Sequence, residues 1–382
     1  MKAIVIGGSN GIGLAISKVL INKNYYVCIL DKENPEKGHL DESSYSYSYC
    51  NLLDLDMELL QSLASDNDVE VLMITAGFGH VIPFKHCHIA EIKNTMMVNA
   101  TATIEILKVF YNRILSNSSL YCGVMGSISG WMSSPLMSVY AASKAAVCRF
   151  IESVNIELEM EGSKNRIMNC SPASIKGTRF NGGENQLELL YELANHIVNN
   201  TFARNTLFIP DYEDIYKDVL ERYHTNPHDY GIYSYNYKLN SGRVKNESET
   251  IVGYLSGTFD LFHVGHLNLL RRAKEKCDYL IVGVHESGKW KGKETFISLE
   301  DRKAIVGACK YVDKVVDSCR EDADAWSIWH YDRLFVGSDY IGTERFKRYE
   351  EYFKDKNVQI VYFPYTQGVS STQLRNRLSG AE

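Results

Sequence analysis

The sequence has no apolar run near the roughly 20 residues a membrane-spanning helix needs, so no membrane insertion is expected. Nor has it a surplus of positive charge: 41 Lys and Arg stand against 47 Asp and Glu, for a formal charge of -6. That argues against nucleic acid as a partner, because such proteins carry a basic footprint. Proline is scarce, 7 residues in 382, and only 27 glycines are present, which excludes collagen-like or long disordered stretches. The nine cysteines include no C-x-x-C pair. An odd, scattered set excludes a disulfide scaffold and points to reduced thiols, as in the cytoplasm. His86-Cys87-His88 is the one tight group of soft donors, but adjacent side chains diverge and no fourth ligand is in view, so no metal site is expected. The N-terminal apolar stretch runs straight into a glycine-rich turn without a cleavage site. It reads as a buried strand, not a signal peptide.

Strand-like and helical segments alternate through most of the chain. Residues 3–7, 26–30, 70–74 and 121–125 are short apolar runs, separated by helical stretches such as 12–21 and 99–115. Alternation of this kind predicts a parallel sheet covered on both faces. The Tyr-Ser alternation at 43–49 suits a strand with one aromatic face. A second series begins at residue 251, with strands expected at 251–255 and 279–284 and an amphipathic helix at 266–276. Residues 240–250 are polar and lack periodicity. The expectation is therefore two doubly wound α/β domains, residues 1–244 and 251–382, joined by a linker at 245–250. The two series do not resemble each other, which indicates a fusion of different domains. Residues 251–382 hold 20 basic and 19 acidic side chains, so the acidic surplus lies in the first 250 residues.

Between the first strand and the first helix lies Gly7-Gly8-Ser9-Asn10-Gly11-Ile12-Gly13. Glycines there let the backbone turn sharply and approach a pyrophosphate, which then rests on the helix N-terminus. Farther on, Tyr140 and Lys144 are four residues apart, on one face of a helix. A nearby cation stabilises phenolate, which would make Tyr140 a better acid and base. Ser127 follows the strand at 121–125, where its hydroxyl can orient a carbonyl, and Asn99 is placed to hold a water chain to the lysine.

With these residues the segment 1–240 resembles the short-chain dehydrogenase/reductases. The resemblance rests on Gly7, Gly11 and Gly13, the turn Thr75-Ala76-Gly77, and Asn99, Ser127, Tyr140 and Lys144. It implies an SDR-type Rossmann domain that transfers hydride between a nicotinamide and a carbonyl. Tyr140 would protonate the forming alkoxide, Lys144 would lower the tyrosine pKa and bind the ribose, and Ser127 would hold the substrate oxygen. The cofactor contacts would come from Gly7, Ser9, Asn10, Gly11, Ile12, Gly13, Asp31, Ala76, Gly77, Tyr140 and Lys144. Ile6, Thr75 and Ala173 depart from the usual threonine, asparagine and glycine. Asp31, ending the second strand, can bond both ribose hydroxyls and repel a 2′-phosphate, which favours NADH over NADPH. Members of the family commonly pair through the helix that carries the tyrosine, so a homodimer or homotetramer is implied.

The second series opens with Gly257-Thr258-Phe259-Asp260, then His263-Val264-Gly265-His266 where a helix begins. Two imidazoles at a helix N-terminus suit a polyphosphate, to which they donate hydrogen bonds while the helix dipole adds positive potential. This segment resembles the glycerol-3-phosphate cytidylyltransferase group of nucleotidyltransferases, through these strings and Lys291, Lys293, Arg302, Asp339, Ser370, Ser371 and Thr372. The resemblance implies CTP as substrate with Mg²⁺. His263 and His266 would stabilise charge at the α-phosphorus, and Lys291 and Lys293 would bind phosphates. Asp260 would organise the site, Asp339 would contact cytosine or ribose, and Ser370, Ser371 and Thr372 would bind phosphate at the last helix. Tyr365 stands where the group has arginine. A reductase fused to a cytidylyltransferase implies small-molecule substrates: a keto-sugar phosphate reduced to an alditol phosphate and joined to CMP. The product, a CDP-alditol, would serve capsule or teichoic-acid-like polymers. The order of the two steps stays open, and a non-catalytic dinucleotide-binding first domain is the alternative.

Overall fold

The computed structural model describes residues 1–116, 118–181, 184–245, 250–287 and 295–364. The chain divides into two compact units, Met1–Ser248 and Glu249–Glu382.

In the first unit the apolar runs form β1 (Lys2–Ile6), β2 (Tyr26–Asp31), β3 (Tyr45–Tyr49), β4 (Val69–Ile74), β5 (Tyr121–Met125), β6 (Ile167–Cys170) and β7 (Leu207–Phe208). They pair in parallel in the order β3-β2-β1-β4-β5-β6-β7. Parallel neighbours need crossover connections, so helices cover both faces and the strands are apolar on both sides. In β1, Ala3 and Val5 face a core built with Leu14 and Ile16 of helix Gly11–Asn22 and Leu190 and Ile197 of helix Leu187–Phe202. Ile4 and Ile6 face the other core, with Ile106 and Phe110 of helix Ala102–Leu115 and Val147 and Ile151 of helix Ser138–Met160. The helical stretch expected at 99–115 opens with a wider π turn, Met97–Thr101, before the α-helix begins. The Tyr-Ser segment is the edge strand β3; Tyr45 and Tyr47 lie against the core and Tyr49 is exposed.

The second unit contains β8 (Val252–Gly257), β9 (Tyr279–Val284), β10 (Lys314–Asp317), β11 (Arg333–Gly337) and β12 (Gln359–Phe363), parallel throughout in the order β10-β9-β8-β11-β12. This is the winding of the first five strands of the other sheet, although the two stretches of sequence look unrelated. One core joins Leu270 and Ala273 of helix Val264–Lys274 and Val306 of helix Leu299–Gly307 to Leu255, Val282 and Phe335. Elsewhere in the unit Tyr254 stacks on Tyr331, with ring centroids 5.0 Å apart. In such sheets the crevice lies where strand order reverses, here between β1 and β4 and between β8 and β11.

At the end of the first unit, the Lys245 N–H donates to the Val81 carbonyl at 2.8 Å, so the polar stretch read as linker starts with a residue anchored to that unit. No helix among the described residues is long and apolar enough to cross a membrane.

Candidate active sites

The glycine-rich turn leaves β1 with Gly7 at φ +82° and Gly11 at φ +52°. Gly13 is required by space: a Cβ there would lie 2.0 Å from the Gly7 carbonyl oxygen and 2.4 Å from Thr75 Oγ1. Thr75, in place of the family's asparagine, ties the ends of β1 and β4 by donating to the carbonyls of Ile6 at 2.9 Å and Gly7 at 3.1 Å. Asp31 faces the turn. One carboxylate oxygen accepts the Ser9 N–H at 3.0 Å and the other accepts that of Lys32 at 2.7 Å. The Ser9 hydroxyl is buried without a hydrogen-bond partner. A cleft of about 410 Å³ runs from this turn to the tyrosine. Gly7, Asn10, Gly11, Ile12, Gly13, Asp31, Ala76, Gly77, Tyr140 and Lys144 all line it. The glycine cradle, the terminal carboxylate and the orphaned Ser9 hydroxyl fit a dinucleotide.

At the far end, Tyr140 is 9 % exposed and Lys144 3 %, and Ser127 and Asn99 are buried beside them. The Ser127 hydroxyl lies close enough to the Tyr140 phenol to lower its pKa. Lys144 Nζ donates to the Met125 carbonyl at 2.8 Å. The expected lowering of the tyrosine pKa by Lys144 is not what the structure shows. Burial pushes the Tyr140 phenol up to about 12, and only the nearby Ser127 hydroxyl draws it back. Burial also brings the Lys144 ammonium down to about 8. Asn99 sits in the π turn, and its side chain clamps the loop after β4. Oδ1 accepts the Phe78 N–H at 3.0 Å, while Nδ2 donates to the Phe78 carbonyl at 2.8 Å and to Ser143 Oγ at 3.1 Å. A side chain at Gly77 would press on both Asn99 Oδ1 and Lys144 Nζ, with its Cβ 3.1 and 3.2 Å away.

Several lining residues escaped the sequence reading: Phe78, His80, Thr178, Arg179 and Phe180. They stand on loops after β4 and β6 and carry no motif; their position past strand ends is the signal that could have found them. Phe180 tilts over Tyr140 at 5.4 Å. Arg179 pairs with Glu33 at 3.3 Å and Glu36 at 2.5 Å. Asn185, also unanticipated, accepts the Gly11 N–H at 2.9 Å and donates to Asn10 Oδ1 at 3.0 Å. His88 of the soft-donor cluster caps helix Ile89–Met96, its Nδ1 accepting the Ala90 N–H at 3.1 Å. Among the described residues no group of three or more His, Cys, Asp or Glu is arranged to hold a metal.

In the second unit the loop after β8 is strained. Phe259 and Leu261 adopt φ of +52° and +48°, costly for residues with a Cβ and typical of functional loops. Gly257 starts the turn, where a Cβ would lie 2.9 Å from the Phe259 ring. His263 caps helix Val264–Lys274: its Nδ1 accepts the Gly265 N–H at 3.0 Å, and its own N–H donates to His266 Nδ1 at 3.4 Å. The rings stack with centroids 4.0 Å apart. Because each Nδ1 accepts, each neutral imidazole keeps its proton on Nε2. Burial lowers the pKa of His263 and takes that of His266 down to about 4, helped by the neighbouring His263 and opposed by Asp260.

Asp260 is buried, and its carboxylate accepts the Phe296 N–H at 3.1 Å and the Ile297 N–H at 3.0 Å, tethering that segment to the histidine loop. Arg302, which the resemblance implies as a CTP- or substrate-binding residue, is turned inward. It is 1 % exposed and donates to the carbonyls of Ile297, Thr258, His285 and Glu286 at 2.6–3.0 Å. Four of its five N–H groups therefore hold together the loops after β8 and β9. Asp339 lies in the turn Ser338–Tyr340 after β11, across the switch point. Lys291, Lys293, Tyr365, Ser370, Ser371 and Thr372 lie outside the described residues.

Comparison with known proteins agrees with this division. A family profile for short chain dehydrogenases matches residues 1–188, and one for cytidylyltransferase-like proteins matches residues 254–377. A glycerol-3-phosphate cytidylyltransferase of Bacillus subtilis is 35% identical over 128 residues, covering 32% of this chain and 94% of that protein. A very-long-chain 3-oxoacyl-CoA reductase of Pyricularia oryzae is 26% identical over 173 residues, 42% of this chain and 52% of the reductase, so the chain spans about half its length. Among solved structures, a short-chain dehydrogenase from Streptomyces avermitilis superposes with a TM-score of 0.50 at 17% identity, over 62% of this chain and all of that one. That likeness shows the fold. The chain belongs to the short-chain dehydrogenase family in its first domain and to the cytidylyltransferase family in its second. It joins an oxidoreductase to a nucleotidyltransferase.

Proposed function

We propose that the chain makes a CDP-alditol: one domain reduces a keto-sugar phosphate, or its CDP derivative, and the other transfers a cytidylyl group from CTP. The observation that carries this reading is that one polypeptide holds both a buried Ser127–Tyr140–Lys144 group in a dinucleotide-shaped cleft and a stacked His263–His266 pair at a helix N-terminus.

A nicotinamide cofactor held against the glycine turn and Asp31 in the first domain would supply hydride. Tyr140 gives its phenolic proton to the oxygen of the carbonyl being reduced, a general-acid role that the neighbouring Ser127 supports by lowering its pKa. Ser127 orients the same oxygen. Lys144 stabilises negative charge left on the phenol. Asp31 lines the cleft and opposes a 2′-phosphate, which favours NADH. In the second domain a phosphate oxygen of the sugar or alditol phosphate attacks the α-phosphorus of CTP, and pyrophosphate leaves. The imidazoles of His263 and His266 would stabilise charge as it develops on the phosphoryl oxygens, and Mg²⁺ bound to the triphosphate would add to that. Lys291, Lys293, Asp339 and Ser370–Thr372 complete this site in the proposal.

The Bacillus relative is named for glycerol 3-phosphate. A reductase in the same chain favours a longer acceptor, a five- or six-carbon alditol phosphate. The product would donate alditol phosphate to capsule or teichoic-acid-like polymers, and the enzyme would work in the cytoplasm as a homodimer or homotetramer. The test is incubation with ketose phosphates, NADH or NADPH, and CTP with Mg²⁺, followed by product mass. A mass equal to a CDP-alditol is expected. Pyrophosphate release without consumption of reduced cofactor on any substrate would leave a cytidylyltransferase with a non-catalytic first domain. Omitting CTP or the reduced cofactor in turn gives the order of steps.

A further inference from the structure

The turn that starts the tyrosine helix is held by a lysine from far along the chain. Helix Ser138–Met160 has no side-chain cap, and Tyr140 lies in its first turn. The preceding turn fixes its start instead. The Met137 N–H donates to the Ser134 carbonyl at 3.0 Å, and the Ala141 N–H donates to the Met137 carbonyl at 2.8 Å. Between them the buried Leu136 adopts φ +64°, a strained conformation for a residue with a Cβ. Such strain persists only where the surroundings impose it. Two groups impose it here. The Ile82 N–H donates to the Leu136 carbonyl at 2.7 Å. Lys238 Nζ donates to Ser134 Oγ at 2.8 Å and to the Pro135 carbonyl at 3.0 Å.

Lys238 belongs to helix Pro227–Asn240, in which Ser234 alone is buried. Ser234 Oγ accepts the third bond from Lys238 at 2.9 Å. An ammonium has three donors, and all three are taken, so Lys238 has none left for a ligand. The acceptors are neutral oxygens. Burial, with a smaller contribution from Arg243, brings the lysine down to about 8. A partly desolvated charge is a costly anchor, and here it is spent on the turn before Tyr140. The other side of the tyrosine is held as well. A Cβ at Gly79 would lie 2.4 Å from the Tyr140 ring, so residue 79 rests on it, and Ile82 three residues on carries the bond to Leu136.

We propose that Lys238 is a positioning residue for Tyr140: it holds the turn Ser134–Met137 in its strained form and so sets where the phenol meets the carbonyl being reduced. The inference rests on the reductase reading above and adds to it a residue outside the group of Asn99, Ser127, Tyr140 and Lys144.

The experiment uses the full chain with NADH and two probes, D-ribulose 5-phosphate and D-fructose 6-phosphate. Turnover is expressed per NADH-binding site, counted by fluorescence titration, so that unfolded protein drops out. Lys238→Met removes all three donors from a side chain of similar length. Its kcat per site should fall by about tenfold to 10²-fold, as for a displaced catalytic group, with KM held within about threefold. Lys238→Arg should regain part of the loss, because a guanidinium reaches the same oxygens in a different geometry. Ser134→Ala removes one acceptor and should cost roughly two- to tenfold. In a Tyr140→Phe background, followed in single turnovers, Lys238→Met should cost less than about twofold, since a residue that acts through another adds little once that one is gone. Unchanged turnover per site in Lys238→Met, or losses that multiply in the double variant, overturns the inference while the reductase reading stands. If Lys238→Met binds no NADH, Ser134→Ala and Lys238→Arg decide: full turnover per site in both overturns the inference. A wild type that reduces neither probe, nor any other ketose phosphate, overturns both readings.

Discussion

The two domains wind their first five strands in the same order yet build their helix N-termini differently. In the first, glycines bring backbone N–H groups to the crevice, and the side chains of the chemistry arrive from elsewhere: Ser127 after β5 and Tyr140 and Lys144 from helix Ser138–Met160. In the second, the helix N-terminus itself carries the reactive groups, with His263 as cap and His266 one turn in. The shared winding follows from the handedness of parallel crossovers and the crevice at the switch point. What differs is where the polar groups enter. Hydride transfer to a carbonyl needs a proton donor held away from water. Nucleotidyl transfer needs donors aimed at phosphate, and a helix N-terminus already supplies the potential.

The sharpest way to break this comparison is to remove one chemistry and ask whether the other survives. Tyr140→Phe should lower reduction by roughly 10²–10⁴, the range for losing a general acid, and leave pyrophosphate release from CTP unchanged. His266→Ala should lower cytidylyl transfer by roughly 10²–10³ with reduction intact. Parallel loss of both activities in either variant would mean that the two sites are not independent.

Glycine substitutions sharpen the contrast at the turns. In Gly13→Ala the new methyl meets backbone, the Gly7 carbonyl at 2.0 Å, which cannot swing away. Destabilisation of the first domain by about 1–3 kcal/mol or more is expected, with loss of NADH binding, read by thermal unfolding and fluorescence. In Gly257→Ala the methyl meets the edge of the Phe259 ring at 2.9 Å. A side chain can give way where a carbonyl cannot, so a smaller loss is expected in the second domain.

Much of this was legible in the sequence because its causes are local. Strands buried on both faces must be near-continuous apolar runs, and a turn with positive φ at Gly7 and Gly11 needs glycine. The string from Gly257 to His266 marks its loop for similar reasons. What escaped depends on long-range packing. Nothing near Arg302 announces that its guanidinium serves four carbonyls from distant loops. Nothing near His80 announces a carboxylate eleven residues on. The tyrosine pKa was misread for the same reason: residue spacing shows a nearby cation but not the depth of burial, which dominates here.

Acid should also separate the domains. The folded pKa of His266 is about 4, below the 6.5 of an unperturbed histidine. Between those values the unfolded chain binds more protons than the folded one, so stability rises with pH across this window. The stability present above pH 6.5 is lost progressively toward pH 4. Unfolding of the second domain, followed calorimetrically, should become easier over that range. His266→Gln should flatten the dependence, and an unchanged slope would show that other groups carry it.

The smallest effect expected concerns how each helix N-terminus is satisfied without ligand. His263 caps its helix from within the same loop, its Nδ1 accepting the Gly265 N–H. Gly11 is capped instead by Asn185, a residue far away in sequence, whose carboxamide oxygen accepts the N–H that a pyrophosphate would use. Bound dinucleotide and Asn185 compete for one donor. Asn185→Ala removes the competitor at the expense of one neutral hydrogen bond, about 0.5–1.5 kcal/mol. NADH affinity, read by fluorescence titration, should therefore rise by roughly two- to tenfold, the equilibrium equivalent of that energy. A weaker affinity would mean that Asn185 moves to the cofactor and binds it. The local cap of the second domain offers no such trade, because the Gly265 N–H is held by His263, a side chain two residues away on the same loop.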